Sequence, residues 1–147
     1  MSAGIRVARP TDYAAVCELL RSAKLPLDGL SATLENFLVA LDGARLVAAA
    51  GLEVYGDAAL LRSVVVAPSH RGSGLGGRLS DGALAMAHDL GVRHVYLLTD
   101  TAEEFFRRRG FALVPRADVP RSVKASVEFT TACPASATVM HQETTPA

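Results

Sequence analysis

Val64-Val65-Val66-Ala67-Pro68-Ser69-His70-Arg71-Gly72-Ser73-Gly74-Leu75-Gly76-Gly77-Arg78-Leu79 is the stretch on which the reading of this chain turns. A β-branched apolar run ends at Pro68, an arginine and four glycines follow, and a helical pattern begins at Gly74. Backbone that must come close to a phosphate favours glycine, because a Cβ would stand in the way. A helix start adds unpaired N–H groups and the positive end of the helix dipole. The segment therefore predicts strand, anion-binding loop and helix, and points to a phosphate-bearing ligand.

The flanking pattern sets this unit inside a sheet. Upstream, Phe37–Ala40, Leu46–Tyr55 and Ala59–Val66 read as a strand meander turning at Asp42-Gly43 and Gly56-Asp57. The third strand is almost wholly apolar, as expected of a central strand covered on both faces, and Arg62 is its one charge. Further upstream lie a short strand at Ile5–Ala8, a helix opened by Pro10-Thr11-Asp12 and stopped at Pro26, and a second short helix expected within 25–34. Downstream, Ser73 is the expected cap of a helix over Gly74–Leu90 that Gly91 ends, and Val92–Thr99 reads as a strand. Thr101 and Glu104 have capping-box spacing for a helix that runs to Arg109 and closes at Gly110-Phe111. Strands at Phe111–Val114 and Ser136–His141 follow, with weak helical character over Val119–Glu128. The alternation is that of a mixed α/β (α+β) sheet with helices on both faces. One domain over 1–141 and a disordered tail over 142–147 are expected.

Composition narrows the function classes. The chain has 147 residues, half of them hydrophobic, and its 15 Lys+Arg balance its 15 Asp+Glu. A zero net charge implies no sequence-independent attraction to nucleic acid or to anionic lipid. No apolar run reaches the roughly 18 residues of a membrane span, and the N-terminus lacks signal-peptide order, so a cytoplasmic protein with no membrane partner is expected. Cys17 and Cys133 are far apart, and His70, His88, His94 and His141 do not cluster, so no metal site is expected.

Three phosphate-binding patterns compete for the glycine loop. Gly72, Gly74 and Gly77 satisfy G-x-G-x-x-G, and Asp100 ends the next strand, as in a dinucleotide fold. Against this, residues 67–71 separate the strand from the first glycine, and fewer than fifty residues follow Asp100. A Walker loop is excluded, since no Gly-Lys-Ser/Thr follows. The third pattern is V-x-P-x-x-R-G-x-G-x-G, written here from Val66 to Gly76, and it resembles the acetyl-CoA signature of the GNAT superfamily of N-acetyltransferases. Glu103–Phe111 also resembles that family's fourth helix with its terminal Gly-Phe.

The resemblance implies a GNAT-like, mostly antiparallel mixed sheet of six to seven strands. It implies an acetyl-CoA-dependent N-acetyltransferase in which the amine of a small-molecule acceptor attacks the thioester directly. A non-catalytic acyl-CoA sensor on the same fold is the alternative, and a homodimer is compatible with either. The cofactor contacts it implies are the amides of Arg71, Gly72, Ser73, Gly74, Leu75 and Gly76 at the pyrophosphate, the Val64–Val66 edge (Val64, Val65 and Val66) along the pantetheine, and Phe106 beside it. A splayed strand at Val64–Val65 would set a backbone N–H, assigned to Val65, at the thioester oxygen.

Acid–base groups are less legible. Glu53 is the best-placed carboxylate for a water-linked base, against a plain charge at a strand end. The family often has a tyrosine four residues before the Gly-Phe glycine as the acid for the thiolate; here that residue is Phe106, so Thr99, Tyr55 or no protein acid serves. Tyr13 and Tyr96 read as packing residues.

Arg62 carries the acceptor argument. A charge inside an apolar strand is costly unless paired, and by strand alternation Arg62 faces the same side as Val64. It either holds an anionic acceptor bidentately or forms an internal salt bridge, with Glu53 as the partner. A narrower resemblance supports the first reading. Tyr55–Ser63, Leu97–Phe106, Glu128-Phe129 and Cys133–Ser136 are similar to acetyltransferases associated with arsenic-resistance operons, which resemble the acetyltransferase domain of N-acetylglutamate synthases. This implies a glutamate-like amino acid, or its arsenical or phosphinic analogue, as acceptor. Arg107, Arg108 and Arg109 either reach the cofactor's 3′-phosphate or form a solvated helix end, and Cys133 either faces the acceptor or packs as a small hydrophobe.

Overall fold

The computed structural model of the protein describes residues 4–126, 129 and 137–144. Their strands form a seven-stranded sheet: β1 (Gly4–Val7), β2 (Phe37–Asp42), β3 (Arg45–Tyr55), β4 (Ala58–Val66), β5 (His94–Thr99), β6 (Ala112–Leu113) and β7 (Thr138–Glu143). The spatial order is β1-β2-β3-β4-β5-β7-β6, and β4–β5 is the one parallel pair among them. The mixed sheet expected from the strand meander and its central crossover is what forms. Helix α2 (Leu75–Asp89) is that crossover and packs its Leu75, Leu79, Ala83 and Ala87 on one face of the sheet. Helix α1 (Tyr13–Ser22) buries Val16 and Leu20 on the other face against Phe37, Val39 and Val65. Two shorter helices, α3 (Glu103–Arg107) and α4 (Arg121–Lys124), cover the sheet beyond β5.

Several local expectations are corrected. The span 25–34 holds turns rather than a second helix: Pro26 and Gly29 interrupt it, and the bonds within it, Leu30 N to Leu27 O and Leu34 N to Ser31 O, reach only three residues. Ser73 does not cap α2; Gly74 is the cap residue at φ +80°, and the Ser73 hydroxyl donates to the His70 carbonyl instead. Thr101 caps nothing. Helix α3 starts later, and Thr99 Oγ1 accepts the Ala102 N–H at 3.0 Å. The last strand reaches Glu143, so Gln142 and Glu143 pair with Val95 and His94 in β5 and are not tail. Glu128, Cys133 and Ser136 lie outside the described residues, as do 145–147.

Two features of β4 shape the centre of the molecule. In its register with β3, Gly51 opposes Arg62 but Ala49 opposes Val65, so Ser63 and Val64 together face Ala50. This is a β-bulge, and Ser63 sits in it at φ +58°. On its other edge β4 pairs with β5 only from Ala58 to Leu60, after which the two strands part. The bulge adds twist and bend just where the pairing ends.

No helix among the described residues is long and apolar enough to cross a membrane. No group of three or more metal-ligating side chains gathers among them.

Candidate active site

The parting of β4 and β5 opens a cavity of about 1150 Å³. Residues 61–66 of β4 form one wall, and Leu97, Leu98 and Thr99 of β5 form the opposite one. The glycine loop and the start of α2 close one end, the turn after α1 closes the other, and Phe105, Phe106 and Arg109 line the α3 side. The strand edge, the loop and the helix expected to hold the cofactor are therefore brought together.

The loop is built for close backbone approach. Gly72 and Gly74 have φ of +82° and +80°, a region where a side chain is strained. The first intrahelical bond of α2 runs from Arg78 N to Gly74 O, so the N–H groups of Leu75, Gly76 and Gly77 precede it and have no helical partner. Arg71 does not swing freely: its Nε donates to the Val66 carbonyl at 3.1 Å, tying the loop to the end of β4. His70 is fixed between Ser69 and Asp42, at 2.8 Å from each.

The ladder decides which amides face the cavity. Ala67 N donates to Val47 O at 2.7 Å, and Val65 opposes Ala49. In an antiparallel pair the hydrogen-bonding direction alternates, so the Val65 N–H points into the sheet toward β3. The N–H groups of Val64 and Val66 point to the open edge. The Val65 N–H, expected at the thioester oxygen, is thus turned away from the open edge.

Glu53 and Arg62 form a separate cluster. Arg62 Nη1 donates to Glu53 Oε2 at 2.7 Å and to the Asp28 carbonyl at 2.8 Å, Nη2 to the Pro26 carbonyl at 3.3 Å, and Nε to Ser63 Oγ at 3.0 Å. The bulge puts Leu61 and Val64 on the α2 face, and Arg62 on the opposite face with Leu60 and Val65. The expectation that Arg62 shares a face with Val64 fails because one inserted residue inverts the alternation. Glu53 does not line the cavity. Burial pushes its carboxyl up, but hydrogen bonds from Ser126, Tyr55 and Arg62 outweigh this and hold it below its usual value. A carboxylate so stabilised is mismatched to taking a proton at neutral pH. Tyr55 donates to Glu53 at 2.5 Å, and its phenol is pushed up to about 12 by burial and by that bond, so it is no acid for the cavity.

Thr99 lines the cavity, and since its oxygen accepts from Ala102 its own proton remains to donate. Phe106 also lines it, 7% exposed, and packs edge-on against Phe111 at 5.7 Å. Tyr96 packs against His141, as expected of a packing residue. Of the three arginines of α3 and its end, Arg109 lines the cavity, paired to Asp81 at 2.9 Å, whereas Arg107 and Arg108 pair with Glu103 and Glu104 along the exposed side. The sequence reading missed Ser63 and Lys24. A polar residue beside Arg62 in an apolar strand was the available signal for the first; nothing local marked the second.

Comparison with known proteins agrees with this geometry. A family model described as an acetyltransferase (GNAT) domain matches residues 33–113, more than half of the chain. The amino-acid acetyltransferase of Pasteurella multocida (strain Pm70) is 28% identical in a 125-residue alignment that covers 79% of this chain but only 28% of that relative's length. N-acetylglutamate synthase from Neisseria gonorrhoeae, solved with coenzyme A and N-acetyl-glutamate, superposes with a TM-score of 0.83 at 19% identity, over 99% of this chain and 36% of that one. Rv2747 from Mycobacterium tuberculosis, solved in complex with CoA, superposes with a TM-score of 0.79 at 25% identity, over 95% and 98% of the two chains. With a split β4–β5 pair, a glycine loop at the head of α2 and a matching family model, the chain belongs to the GNAT acetyltransferase family.

Proposed function

We propose that this protein is an acetyl-CoA-dependent N-acetyltransferase that acts on the amine of a small acidic amino acid or a glutamate-like analogue. The observation that carries this is the continuity of one cavity from the glycine loop, along the open edge of β4, to the turn after α1. A phosphate-bearing arm fits one end of it and a small acceptor the other. The amino-acid acetyltransferase relative and the synthase neighbour favour an amino acid as acceptor. The resemblance to arsenic-operon acetyltransferases extends the acceptor class to arsenical and phosphinic analogues. That the described strands form one sheet supports a single acetyltransferase domain.

Acetyl-CoA, when bound, supplies a thioester at the end of a flexible arm. The amides of Gly72 to Gly76 and the start of α2 hold its pyrophosphate, and Arg71 keeps that loop in register with β4. The outward N–H groups of Val64 and Val66, with the Val64 C=O, extend the strand edge to the pantetheine. The Val64 N–H is the donor for the developing oxyanion, a contribution of about 3–4 kcal/mol to the rate. Held together in the cavity, the acceptor nitrogen bonds to the carbonyl carbon as the carbon–sulfur bond breaks. The thiolate gains the proton that the amine loses. Thr99 donates a hydrogen bond to that sulfur, since Phe106 has no hydroxyl to offer.

The test is release of free thiol from acetyl-CoA in the presence of a panel of amino acids and phosphinothricin-like analogues. Release with acidic members and little with neutral ones is expected. Acetyl-CoA binding without thiol release for any amine would leave an acyl-CoA sensor as the function.

A further inference from the structure

We infer that Lys24 holds a carboxylate of the acceptor; this rests on the proposed acceptor class and names the residue that reads it. A carboxylate-bearing acceptor needs a cation available at the cavity, and the basic residues that line it are Lys24, which is exposed there, Arg62, His70, Arg71 and Arg109. Four of them are engaged. Arg62 is held by Glu53 and two carbonyls, His70 by Asp42, Arg71 by the Val66 carbonyl, and Arg109 by Asp81. The last three also stand at the glycine-loop end. Lys24 stands at the other end, with Ala23, Leu25 and Pro26. Its ammonium makes no hydrogen bond or ion pair among the described residues.

The backbone at Lys24 supplies a second, independent argument. Three helices end in the same pair of bonds. Leu25 N reaches Leu20 O and Lys24 N reaches Arg21 O, each at 3.0 Å. Val92 N reaches Ala87 O and Gly91 N reaches His88 O, at 2.9 and 3.1 Å. Phe111 N reaches Phe106 O and Gly110 N reaches Arg107 O, each at 3.1 Å. This ending needs a left-handed residue and favours glycine there. Gly91 and Gly110 supply it at φ +81° and +94°, whereas α1 uses Lys24 at φ +58°. A lysine is strained at such a position and gains there only the modest attraction of the helix's C-terminal dipole, and this chain has only two lysines. Arg62 anchors the turn that follows Lys24, through the Pro26 and Asp28 carbonyls.

The experiment compares L-glutamate, its α-amide and its γ-amide as acceptors for the wild type and for Lys24→Met, Lys24→Arg and Lys24→Gly. In the wild type, one of the two amides should be the poorer acceptor, which identifies the carboxylate read. Lys24→Met and Lys24→Gly should raise the glutamate KM about tenfold or more and erase that preference, as loss of a charged hydrogen bond implies. The acetyl-CoA KM should stay within about twofold, and Lys24→Arg should retain most of the preference. Lys24→Gly should also melt about 3 °C higher, because glycine relieves the left-handed backbone. A merely structural lysine would not combine higher stability with weaker acceptor binding. An unchanged glutamate KM with the preference intact in Lys24→Gly would overturn the contact while leaving the acceptor class standing. No thiol release from the wild type with any of the three, while acetyl-CoA still binds, would overturn the acceptor class and this contact with it.

Discussion

Arg62 lies 2.7 Å from Glu53, its side chain 1% exposed and that of Glu53 18% exposed. Two strands and the turn after α1 meet at this pair, because the same guanidinium holds the Pro26 and Asp28 carbonyls. Removing one partner of a buried pair leaves the other charge uncompensated, at a cost of about 3–5 kcal/mol. Arg62→Met should therefore lower the urea midpoint by an amount near the bottom of that range, since Glu53 keeps some contact with water. Its acceptor KM should rise as the turn loosens, with the acetyl-CoA KM little changed. Glu53→Gln should lose about 1–2 kcal/mol. Lying outside the cavity, it should keep kcat within a few-fold. A kcat loss of a hundredfold or more in Glu53→Gln would restore Glu53 as the base.

The pH dependence of stability follows from the same cluster. The Glu53 carboxyl is held below its ordinary value, so the stability it contributes is present above pH ~4.3 and is lost as pH falls through the folded value. The Tyr55 phenol is raised to about 12. Its contribution is present below the ordinary value of about 10 and is lost as pH rises from there toward 12. Tyrosinate absorbance during alkaline titration should show a late component that disappears in Tyr55→Phe. A Tyr55 signal complete by pH ~10 would contradict the buried hydrogen bond.

Two glycines with crowded surroundings should respond differently to alanine. A Cβ on Gly51 would sit 2.2 Å from the ring of Phe37, which is 2% exposed and walled by α1. Gly51→Ala should cost about 2–3 kcal/mol through overpacking. A Cβ on Gly77 would sit 1.8 Å from Arg109 Nη2, the far end of a flexible chain that can swing out. Gly77→Ala would break the partly exposed Arg109–Asp81 pair, worth about 0–1 kcal/mol, while gaining up to about 1 kcal/mol of helix propensity. Chemical denaturation should show the first variant clearly destabilised and the second near the wild type.

Gly74 tests the loop itself. Alanine at its φ of +80° costs about 1–2 kcal/mol and tilts the first amides of α2. Gly74→Ala should weaken acetyl-CoA binding by roughly tenfold in calorimetric titration, the equivalent of about 1.4 kcal/mol. Unaltered acetyl-CoA affinity in a folded Gly74→Ala protein would remove the loop from the binding site.

The strand meander, the crossover helix and the glycine loop were legible because each rests on local chemistry. Apolar runs, turn glycines and the Pro68–Arg71 lead-in are all read within a few residues of one another. The closing glycines Gly91 and Gly110 were equally visible, since the left-handed conformation they adopt is a local preference. Ser73 and Thr101 misled because a hydroxyl before a helix pattern has several acceptors in reach, and only the folded loop decides between them.

The chain's own order of residues determined that a phosphate-binding loop joins a central strand to a helix, and hence the family. Tertiary structure decided what lies opposite what. The bulge at Ser63 turned Arg62 away from Val64 and into an ion pair with Glu53, and it exposed the Val64 amide in place of Val65. It also left Lys24, rather than Arg62, as the cation at the α1 end of the cavity that no carboxylate or carbonyl of the described residues engages. The physical reason is that a strand's facing is a parity. One extra residue inverts it for every residue that follows, and where that residue is inserted depends on the neighbouring strand, not on the local sequence.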